Sequence, residues 1–224
     1  MRKKRGYNRS HTGLKRDYRL FAIVCEGKRE AEYFQLLESL SQRISIDIII
    51  DKVPDLEMKA KYNTKSAPKW LLDRAVKYIE KEGLIDEDEL WFVLDVDKWE
   101  INQIREIASL CKDKPNWHIA ISNPCFEIWL YFHMNSIIPE EIKNKPCKFI
   151  KNKLDSISKS GYNKEKYIIK INDAIINAKR ADSDRKHFFP QKGETKVYLL
   201  AESLIAYVGI NDFNKFIKSM SNKV

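Results

Sequence analysis

Two apolar runs in the first half of the chain have the pattern of buried strands. They cover residues 20–25 and 90–94, and neither alternates between apolar and polar positions. Continuous apolar runs of this length are typical of strands that are covered on both faces of a parallel sheet. The isoleucine-rich segment 44–50 and the segment 117–121 predict two further strands. The pattern therefore predicts an α/β fold with about four mainly parallel strands.

Helical patterns separate these strands. Apolar residues recur at helical spacing over 30–40 and again over 101–111. A third helix is predicted over 68–81, because proline is tolerated in a first helical turn and Gly83 can end the helix. A fourth helix is expected to follow the turn at residues 122–124. Strands that alternate with helices favour βαβ units, with helices flanking the sheet.

The character of the chain changes near residue 139, where lysine becomes frequent and apolar residues become sparse. Short helices are expected there, followed by an amphipathic helix over 195–207 that packs on the core. We therefore predict a basic flexible arm over 1–17, an α/β domain over 18–138 and a mostly helical C-terminal segment over 139–224. The segment 51–65 is predicted to be a loop.

The net charge favours a polyanionic partner. The chain has 224 residues and a formal charge of +9, and its first sixteen residues carry seven arginines and lysines but no acid. Charge alone does not distinguish nucleic acid from an anionic membrane surface. However, no apolar stretch approaches the roughly 18 residues of a membrane span, and the basic N-terminus lacks an apolar signal core. We therefore expect a cytoplasmic protein with no membrane segment.

The four cysteines, Cys25, Cys111, Cys125 and Cys147, are far apart in the chain. They form no C-x-x-C pair and have no histidine nearby at zinc-site spacing. Two disulfides are one alternative, but in a basic chain of intracellular character we expect four buried thiols.

Three acidic residues follow the two apolar runs directly. Glu26 closes the first run, and Asp95 and Asp97 close the second. In an open parallel sheet, ligands bind beyond the carboxyl ends of the strands, so these carboxylates are expected to converge. Because converging carboxylates repel one another, a divalent cation such as Mg²⁺ (or Mn²⁺) is the expected partner. The alternative is that each acid caps the N-terminus of a helix, where negative charge is mildly favourable.

Two further carboxylates lie close to these positions in the sequence. Glu30 follows Glu26 by about one helical turn, and Glu127 lies in the first turn after the segment Ser122-Asn123-Pro124. Glu127 is a candidate for a fourth carboxylate of the same site, and Glu127 or Glu30 is expected to border it. The resulting arrangement suits metal-assisted phosphoryl chemistry, in which a carboxylate transfers the proton.

These motifs resemble those of RloB-like (AbiLii-type) proteins, which are TOPRIM-like proteins of bacterial restriction and abortive-infection loci. The resemblance is carried by Glu26-Gly27-x-x-Glu30-x-x-Tyr33-Phe34, Asp95-x-Asp97, Ser122-Asn123-Pro124-Cys125-Phe126-Glu127-x-Trp129-Leu130 and His133. It implies that Glu26 is a general acid/base and that Asp95 and Asp97 bind metal. Arg29 stands where the family commonly has threonine.

The resemblance also implies a function. It suggests a metal-dependent nuclease that acts as a toxic effector in anti-phage defence and is controlled by a partner ATPase of the ABC or AAA type. RNA, and tRNA in particular, is placed slightly ahead of DNA as the substrate. The alternatives are a non-catalytic TOPRIM-like binding or regulatory subunit of a defence complex, and primase-type nucleotidyl transfer. A homodimer is a further assembly that we consider.

Basic and aromatic side chains provide a candidate surface for nucleic acid. Basic residues outnumber acids between 139 and 192, and phosphate contacts supply most of the affinity for nucleic acid. Aromatic residues in the same region could stack on unpaired bases, although a solvated face over a small core is the alternative. The aromatic candidates are Tyr162, Tyr167, His187, Phe188 and Phe189. The basic candidates are Lys28, Lys164, Lys166, Arg180, Arg185 and Lys186.

Overall fold

The computed structural model describes residues 9–10, 13–14, 17–50, 67–157 and 162–223. Most of the predicted basic arm and the predicted loop over 51–65 lie outside these residues. Within the arm, β1 (Arg9–Ser10) pairs antiparallel with β2 (Gly13–Leu14). The prediction of a flexible arm over 1–17 stays a prediction.

Within the described residues, the main sheet contains five strands in the order β4-β3-β5-β6-β7. The strands are β3 (Arg19–Cys25), β4 (Ile44–Ile49), β5 (Glu89–Asp95), β6 (Trp117–Asn123) and β7 (Glu194–Thr195). The first four are mutually parallel, whereas β7 is antiparallel to β6. The predicted α/β class with about four mainly parallel strands is confirmed, and β7 is an edge strand that the sequence did not indicate.

The register of the sheet brings the predicted acidic positions to one edge. Cys25 at the end of β3 pairs with Val93 of β5, and Asp95 at the end of β5 pairs with Ser122 of β6. Because these neighbouring strands are parallel, their carboxyl ends open on the same side. Glu26 and Asp95 are thus placed next to each other by the backbone alone.

The sheet separates two apolar cores, as the continuous apolar runs require. On β3, Phe21 and Ile23 face one core and Ala22 and Val24 face the other. The first core contains side chains from the helices after β3 and β6 and from the C-terminal part, and the second contains those from the two helices that precede β5 and β6. Burial on both faces explains why neither run alternates.

The predicted helices are present in the structure. Helices of the α/β part are α1 (Lys28–Leu36), α2 (Ala67–Glu82), α3 (Ile101–Lys112) and α4 (Glu127–Phe132), with 3₁₀ turns at Leu37–Leu40 and Val96–Lys98. Gly83 follows α2 with a φ of 72°, which favours glycine, and its N–H bonds to the carbonyl of Ile79. The peptide bond between Asn123 and Pro124 is cis.

The C-terminal part is mostly helical, as predicted. It comprises α5 (Glu140–Lys143), α6 (Cys147–Ile157), α7 (Lys164–Ile168), α8 (Ile171–Ala181), α9 (Val197–Val208) and α10 (Ile210–Ser221). Leu154, Ile171 and Leu204 join the same buried cluster as Phe21 of the sheet. None of the described helices combines the length and the apolar content that crossing a bilayer requires.

A buried ion pair fixes the loop that leads into β7. The Lys196 ammonium donates to both carboxylate oxygens of Asp182, at 2.7 and 2.6 Å, and to the carbonyl of Asp184 at 2.8 Å. The Tyr198 hydroxyl also donates to Asp182 at 2.6 Å. The side chains of Lys196 and Asp182 are 1% and 0% exposed, so each charge depends on the other for neutralisation.

The cysteines depart in part from the prediction. Cys25 and Cys111 are buried free thiols, as expected, and burial raises the pKa of Cys111 to about 12. Cys125 and Cys147, however, form a disulfide with their Cα atoms 5.9 Å apart. The prediction of four thiols is wrong for this pair, because the turn after β6 and the start of α6 meet in space despite their separation of 22 residues.

Candidate active site

Glu26 and Asp95 are held together at the carboxyl ends of β3 and β5. One oxygen of Glu26, Oε1, accepts a hydrogen bond from the Asp95 backbone N–H at 3.1 Å and another from the Trp99 indole. Oδ1 of Asp95 accepts from the Phe126 backbone N–H at 2.8 Å. Each carboxylate thus keeps its second oxygen for other partners, and both are positioned by main-chain donors.

Lys98 bridges those second oxygens. Its Nζ lies 3.5 Å from Oε2 of Glu26 and 3.6 Å from Oδ2 of Asp95. The 3₁₀ turn Val96–Lys98 places Lys98 on the same side as Asp95, three residues earlier. Burial lowers the pKa of Lys98, but the surrounding carboxylates raise it more, and the net shift is upward.

The carboxyl groups of the site have raised pKa values. Burial is the main cause for Glu26, Asp95 and Glu30, and Lys98 opposes it in each case. Burial, together with the charges of Glu127 and Glu26, raises the pKa of Glu30 to about 7. Burial therefore favours the protonated form of these carboxyl groups, and Lys98 favours their charged form.

Asp97 occupies a different position from Glu26 and Asp95. It is exposed on the 3₁₀ turn, and its backbone N–H donates to the carbonyl of Pro124 at 3.0 Å. Partial burial raises its pKa, while the neighbouring Lys98 lowers it. Among the described residues, three possible metal-ligand atoms lie within 4.8 Å of one another. They belong to Cys125, Glu127 and Cys147. The predicted grouping of Glu26, Asp95 and Asp97 as ligands of one cation stays a prediction.

The other wall of the site is built by Arg29. Its guanidinium lies 3.4 Å from Oε1 of Glu127 and donates to both oxygens of Asp155, at 2.8 and 2.7 Å. It also lies over the ring of Tyr162, with its Cζ atom 5.1 Å from the ring centroid. Arg29 therefore connects α1 to α4 and α6.

These groups surround an open cleft of about 410 Å³. Its lining combines the carboxylates of Glu30, Asp95 and Glu127 with the cationic side chains of Lys28 and Lys98 and with other residues. The cleft places both signs of charge around a space large enough for a phosphate group. The four predicted residues Glu26, Glu30, Asp95 and Glu127 meet here, with Glu26 buried behind Asp95 and Lys98.

Gly27 is required by a close approach rather than by its backbone angles. Its φ is −119° and its ψ is 160°, which any residue can adopt. A Cβ atom at this position would instead collide with the carboxylate of Glu30. The glycine at this position therefore makes room for an acidic side chain.

The predicted nucleic-acid residues are accessible. Lys28 begins α1 at the rim of the cleft and is 88% exposed at its side chain. Lys166, Arg180, Arg185 and Lys186 are exposed, and Lys164 is partly exposed. Their role in binding stays a prediction.

The aromatic candidates divide into two groups. Tyr167 is buried and Tyr162 stacks on it with ring centroids 5.6 Å apart, so Tyr167 cannot stack on a base. His187, Phe188 and Phe189 form a surface cluster, with the first two rings stacked at 5.1 Å.

His133, the last residue of the motifs, is buried. Its Nε2 accepts a hydrogen bond from the Tyr33 hydroxyl, and its Nδ1 donates to the carbonyl of Trp129. Burial lowers the pKa of His133 to about 3.

Sequence reasoning did not identify three residues of the site: Lys98, Trp99 and Asp155. A signal for Lys98 is present in the chain, because it lies three residues after Asp95 and a 3₁₀ or α turn brings such positions to one face. Trp99 and Asp155 reach the site through tertiary packing, and no local pattern marks them.

The donor set of the site fits a divalent cation. Hard cations prefer carboxylate oxygens, and Glu26 and Asp95 each direct one oxygen to a position that a cationic group already occupies. That group, the Lys98 ammonium, has a side chain that is 45% exposed, so it can withdraw toward solvent. The same oxygens could then coordinate Mg²⁺ or Mn²⁺, with Asp97 on the adjoining turn.

The protein is of the α/β class. Its sheet is mostly parallel and has buried carboxylates at the carboxyl ends of adjacent strands. The family model described as RloB-like protein matches residues 21–204. The chain belongs to the RloB-like family, as the motifs around Glu26, Asp95 and Glu127 predicted. No curated protein and no solved structure gives a significant match to the chain.

The pKa of Glu30 predicts an unusual dependence of stability on pH. Its carboxyl keeps a proton in the folded state up to about pH 7 but loses it near its ordinary value of 4.5 in the unfolded state. The unfolded state therefore binds fewer protons between these values, and the free energy of unfolding falls as the pH rises through this window. At about 1.4 kcal/mol per pKa unit, the fall attributable to Glu30 is about 3 kcal/mol.

Urea unfolding at pH 5 and pH 8 without divalent cations measures this effect. Glu30→Gln is expected to flatten the pH dependence, while Glu140→Gln, which changes an exposed residue of α5, should retain it. Equal pH profiles for Glu30→Gln and the parent protein would show that the pKa of Glu30 is not raised.

Proposed function

We propose that this protein is a divalent-metal-dependent nuclease that cleaves phosphodiester bonds of RNA, with tRNA placed ahead of DNA. The observation that carries the proposal is the pair of buried carboxylates, Glu26 and Asp95, whose free oxygens are bridged by the displaceable ammonium of Lys98. Buried like charges of this kind are found where a protein tunes pKa values for chemistry or binds a cation.

The residues of the cleft suit the tasks that such a reaction requires. Asp95 and Asp97 would hold the cation, with Glu30 and Glu127 as further ligands. The cation, Mg²⁺ or Mn²⁺, supplies charge stabilisation for the phosphoryl oxygens. Glu26, whose pKa is raised mainly by burial, is proposed as the general acid/base. Lys98, released from the carboxylates, would face the phosphate of the substrate.

A role in anti-phage defence is part of the same proposal. It rests on membership of the RloB-like family and on what the resemblance implied: a toxic effector controlled by a partner ATPase of the ABC or AAA type, in the cytoplasm. Lys28, which lines the cleft, and Lys164 and Lys166 of α7 would bind the phosphates of the substrate.

A non-catalytic TOPRIM-like binding or regulatory subunit is the second candidate. One observation favours it: Lys98 already neutralises part of the charge on Glu26 and Asp95, so the fold keeps these carboxylates without a metal. In that case the cleft would dock a charged segment of a partner, and Glu26 would have a structural role.

The deciding experiment is incubation of the purified protein with tRNA, single-stranded DNA and duplex DNA. Each substrate is tested with Mg²⁺, with Mn²⁺ and with EDTA. Cleavage that requires the metal and that EDTA abolishes supports the nuclease. Binding without cleavage under all of these conditions favours the docking subunit, and cleavage of DNA but not of tRNA would correct the order of substrates.

Charge reversal on the proposed binding surface is predicted to weaken RNA binding and to reduce its dependence on salt. Each lost phosphate contact should lower the slope of log K against log salt by roughly 1. We expect this for Lys28→Glu and Lys166→Glu in filter binding at several salt concentrations. Lys112→Glu, at the exposed end of α3 on the opposite layer, makes the same change of charge and should bind as the parent does. An equal loss for Lys112→Glu would mean that only net charge matters.

A further inference from the structure

Two cysteines and a glutamate meet at one wall of the cleft. Cys125 lies in the turn between β6 and α4 and is fully buried, whereas Cys147 begins α6 and lines the cleft. Glu127, in the first turn of α4, is 5% exposed. One donor atom from each of the three residues lies within 4.8 Å of the other two.

Glu127 is oriented toward the sulfur atoms. Its Oε1 lies 3.4 Å from the Arg29 guanidinium, which Asp155 fixes through two hydrogen bonds. Its Oε2 lies 3.3 Å from Sγ of Cys147. The carboxylate therefore has one oxygen neutralised by Arg29 and one directed at the cysteine pair, which is the arrangement in which an outer partner orients a metal ligand.

The carboxylates of the cleft thus separate into two groups. Glu26 and Asp95 share Lys98 and offer carboxylate oxygens. Glu127 instead shares its surroundings with sulfur. Oxygen donors suit Mg²⁺ and Mn²⁺, while thiolates select softer ions such as Zn²⁺.

We propose that Cys125, Cys147 and Glu127 form a Zn²⁺ site when the cysteine pair is reduced. Zn²⁺ is commonly bound by cysteine sulfur and carboxylate oxygen, and three protein ligands leave a fourth position for water or a substrate oxygen. That position opens into the cleft, because Cys147 and Glu127 both line it. On binding, each thiol loses its proton to solvent and no electron is transferred.

The disulfide is the oxidised form of the same site and cannot hold the metal. It forms from the dithiol by exchange with an external disulfide, which accepts the two electrons and the two protons and leaves as two thiols. The site therefore binds Zn²⁺ only under reducing conditions, and bound Zn²⁺ protects both sulfur atoms from exchange. Glu127 then serves Zn²⁺ instead of the Mg²⁺ or Mn²⁺ of the proposed nuclease, for which Asp95, Asp97 and Glu30 remain as proposed ligands. The zinc site itself does not depend on the proposed nuclease activity.

Metal titration of the full chain tests the site. The protein is reduced, and the reductant is then removed under anaerobic conditions. The protein is titrated first with Co²⁺ and then with Zn²⁺. The expected result is about one equivalent of Co²⁺ with an absorption band from thiolate-to-cobalt charge transfer, which Zn²⁺ displaces. Oxidised protein should show no such band.

Variants assign the ligands. Because loss of an outer partner alone costs about 10- to 100-fold in metal affinity, Cys147→Ser is expected to weaken Zn²⁺ binding at least about 100-fold and to remove the thiolate band. Cys147 is the more accessible cysteine of the pair, so this variant is the one least disturbing to the fold. Glu127→Gln should shift the cobalt bands and weaken binding. The control Cys111→Ser, which changes a free thiol of α3, should bind as the parent does.

The outcomes separate this inference from the nuclease. Glu26→Gln is expected to bind Zn²⁺ like the parent protein, whatever its activity. A reduced protein that shows no thiolate band, or a Cys147→Ser variant that binds Zn²⁺ as tightly as the parent, overturns the zinc site and leaves a disulfide only. Neither result bears on whether the protein cleaves RNA.

Discussion

Replacement of Glu26 by glutamine is expected to slow metal-dependent cleavage by about 100-fold or more while leaving the fold and RNA binding close to those of the parent protein. Glutamine keeps the Oε1 acceptor for the Asp95 backbone N–H and the Trp99 indole, so the connection between β3 and β5 survives. The side chain can no longer transfer a proton. Its amide group also takes the place of the oxygen that lies 3.5 Å from Lys98.

Single-turnover cleavage of tRNA, with binding measured in parallel, checks this expectation. Glu140→Gln makes the same chemical change at an exposed position of α5 and should cleave at the parent rate. Asp97→Asn should lose activity that excess Mn²⁺ partly restores, because Asp97 is exposed and its replacement weakens metal binding without disturbing the core. If Glu26→Gln cleaves as fast as the parent, Glu26 has a structural role, and the result supports the alternative of a non-catalytic docking subunit.

Replacement of Lys196 by methionine is expected to cost about 3 to 5 kcal/mol of unfolding free energy. The ammonium of Lys196 makes two hydrogen bonds to Asp182, and both side chains are almost completely buried. Methionine fills a similar volume but leaves the charge of Asp182 buried with only the Tyr198 hydroxyl as a side-chain donor. Urea unfolding at neutral pH measures the loss.

An exposed ion pair of the same type provides the control. Lys179 and Glu202 also lie 2.6 Å apart, but their side chains are 36% and 37% exposed. Lys179→Met should therefore cost no more than about 1 kcal/mol. The double variant Lys196→Met with Asp182→Leu should recover part of the loss, since no buried charge remains. A loss for Lys196→Met as small as that for Lys179→Met would show that water reaches the buried pair.

The sheet could be predicted from sequence because its strands are buried on both faces. This burial requires continuous apolar runs at β3 and β5. Such a local pattern can be recognised in the sequence without knowledge of the fold. The carboxyl-end rule then placed Glu26 and Asp95 at one edge. The strand β7 has only two residues, Glu194 and Thr195, and its pairing depends on partners on β6 that are distant in sequence.

The rest of the site depends on side chains that arrive from separate elements. The bridge made by Lys98 requires the 3₁₀ turn after Asp95, and its acidic partners lie on two strands. The contact of Arg29 with Asp155 spans more than half of the chain, and the pairing of Cys125 with Cys147 requires α6 to return to the turn after β6. Sequence spacing does not indicate these contacts, because each joins elements that are distant in the chain.

The strand β7 has a consequence for synthesis on the ribosome. The ribosome synthesises β6 long before Thr195. Until Thr195 has been added, the outer edge of β6 presents unpaired main-chain donors and acceptors. The Lys196 N–H and the Gly193 N–H, which bond to the carbonyls of Ile121 and Asn123, also arrive late. A nascent or truncated chain that ends before residue 193 therefore exposes the edge of β6 at residues 121–123 to pairing with a second copy, and completion of β7 is the step that covers this end of the strand.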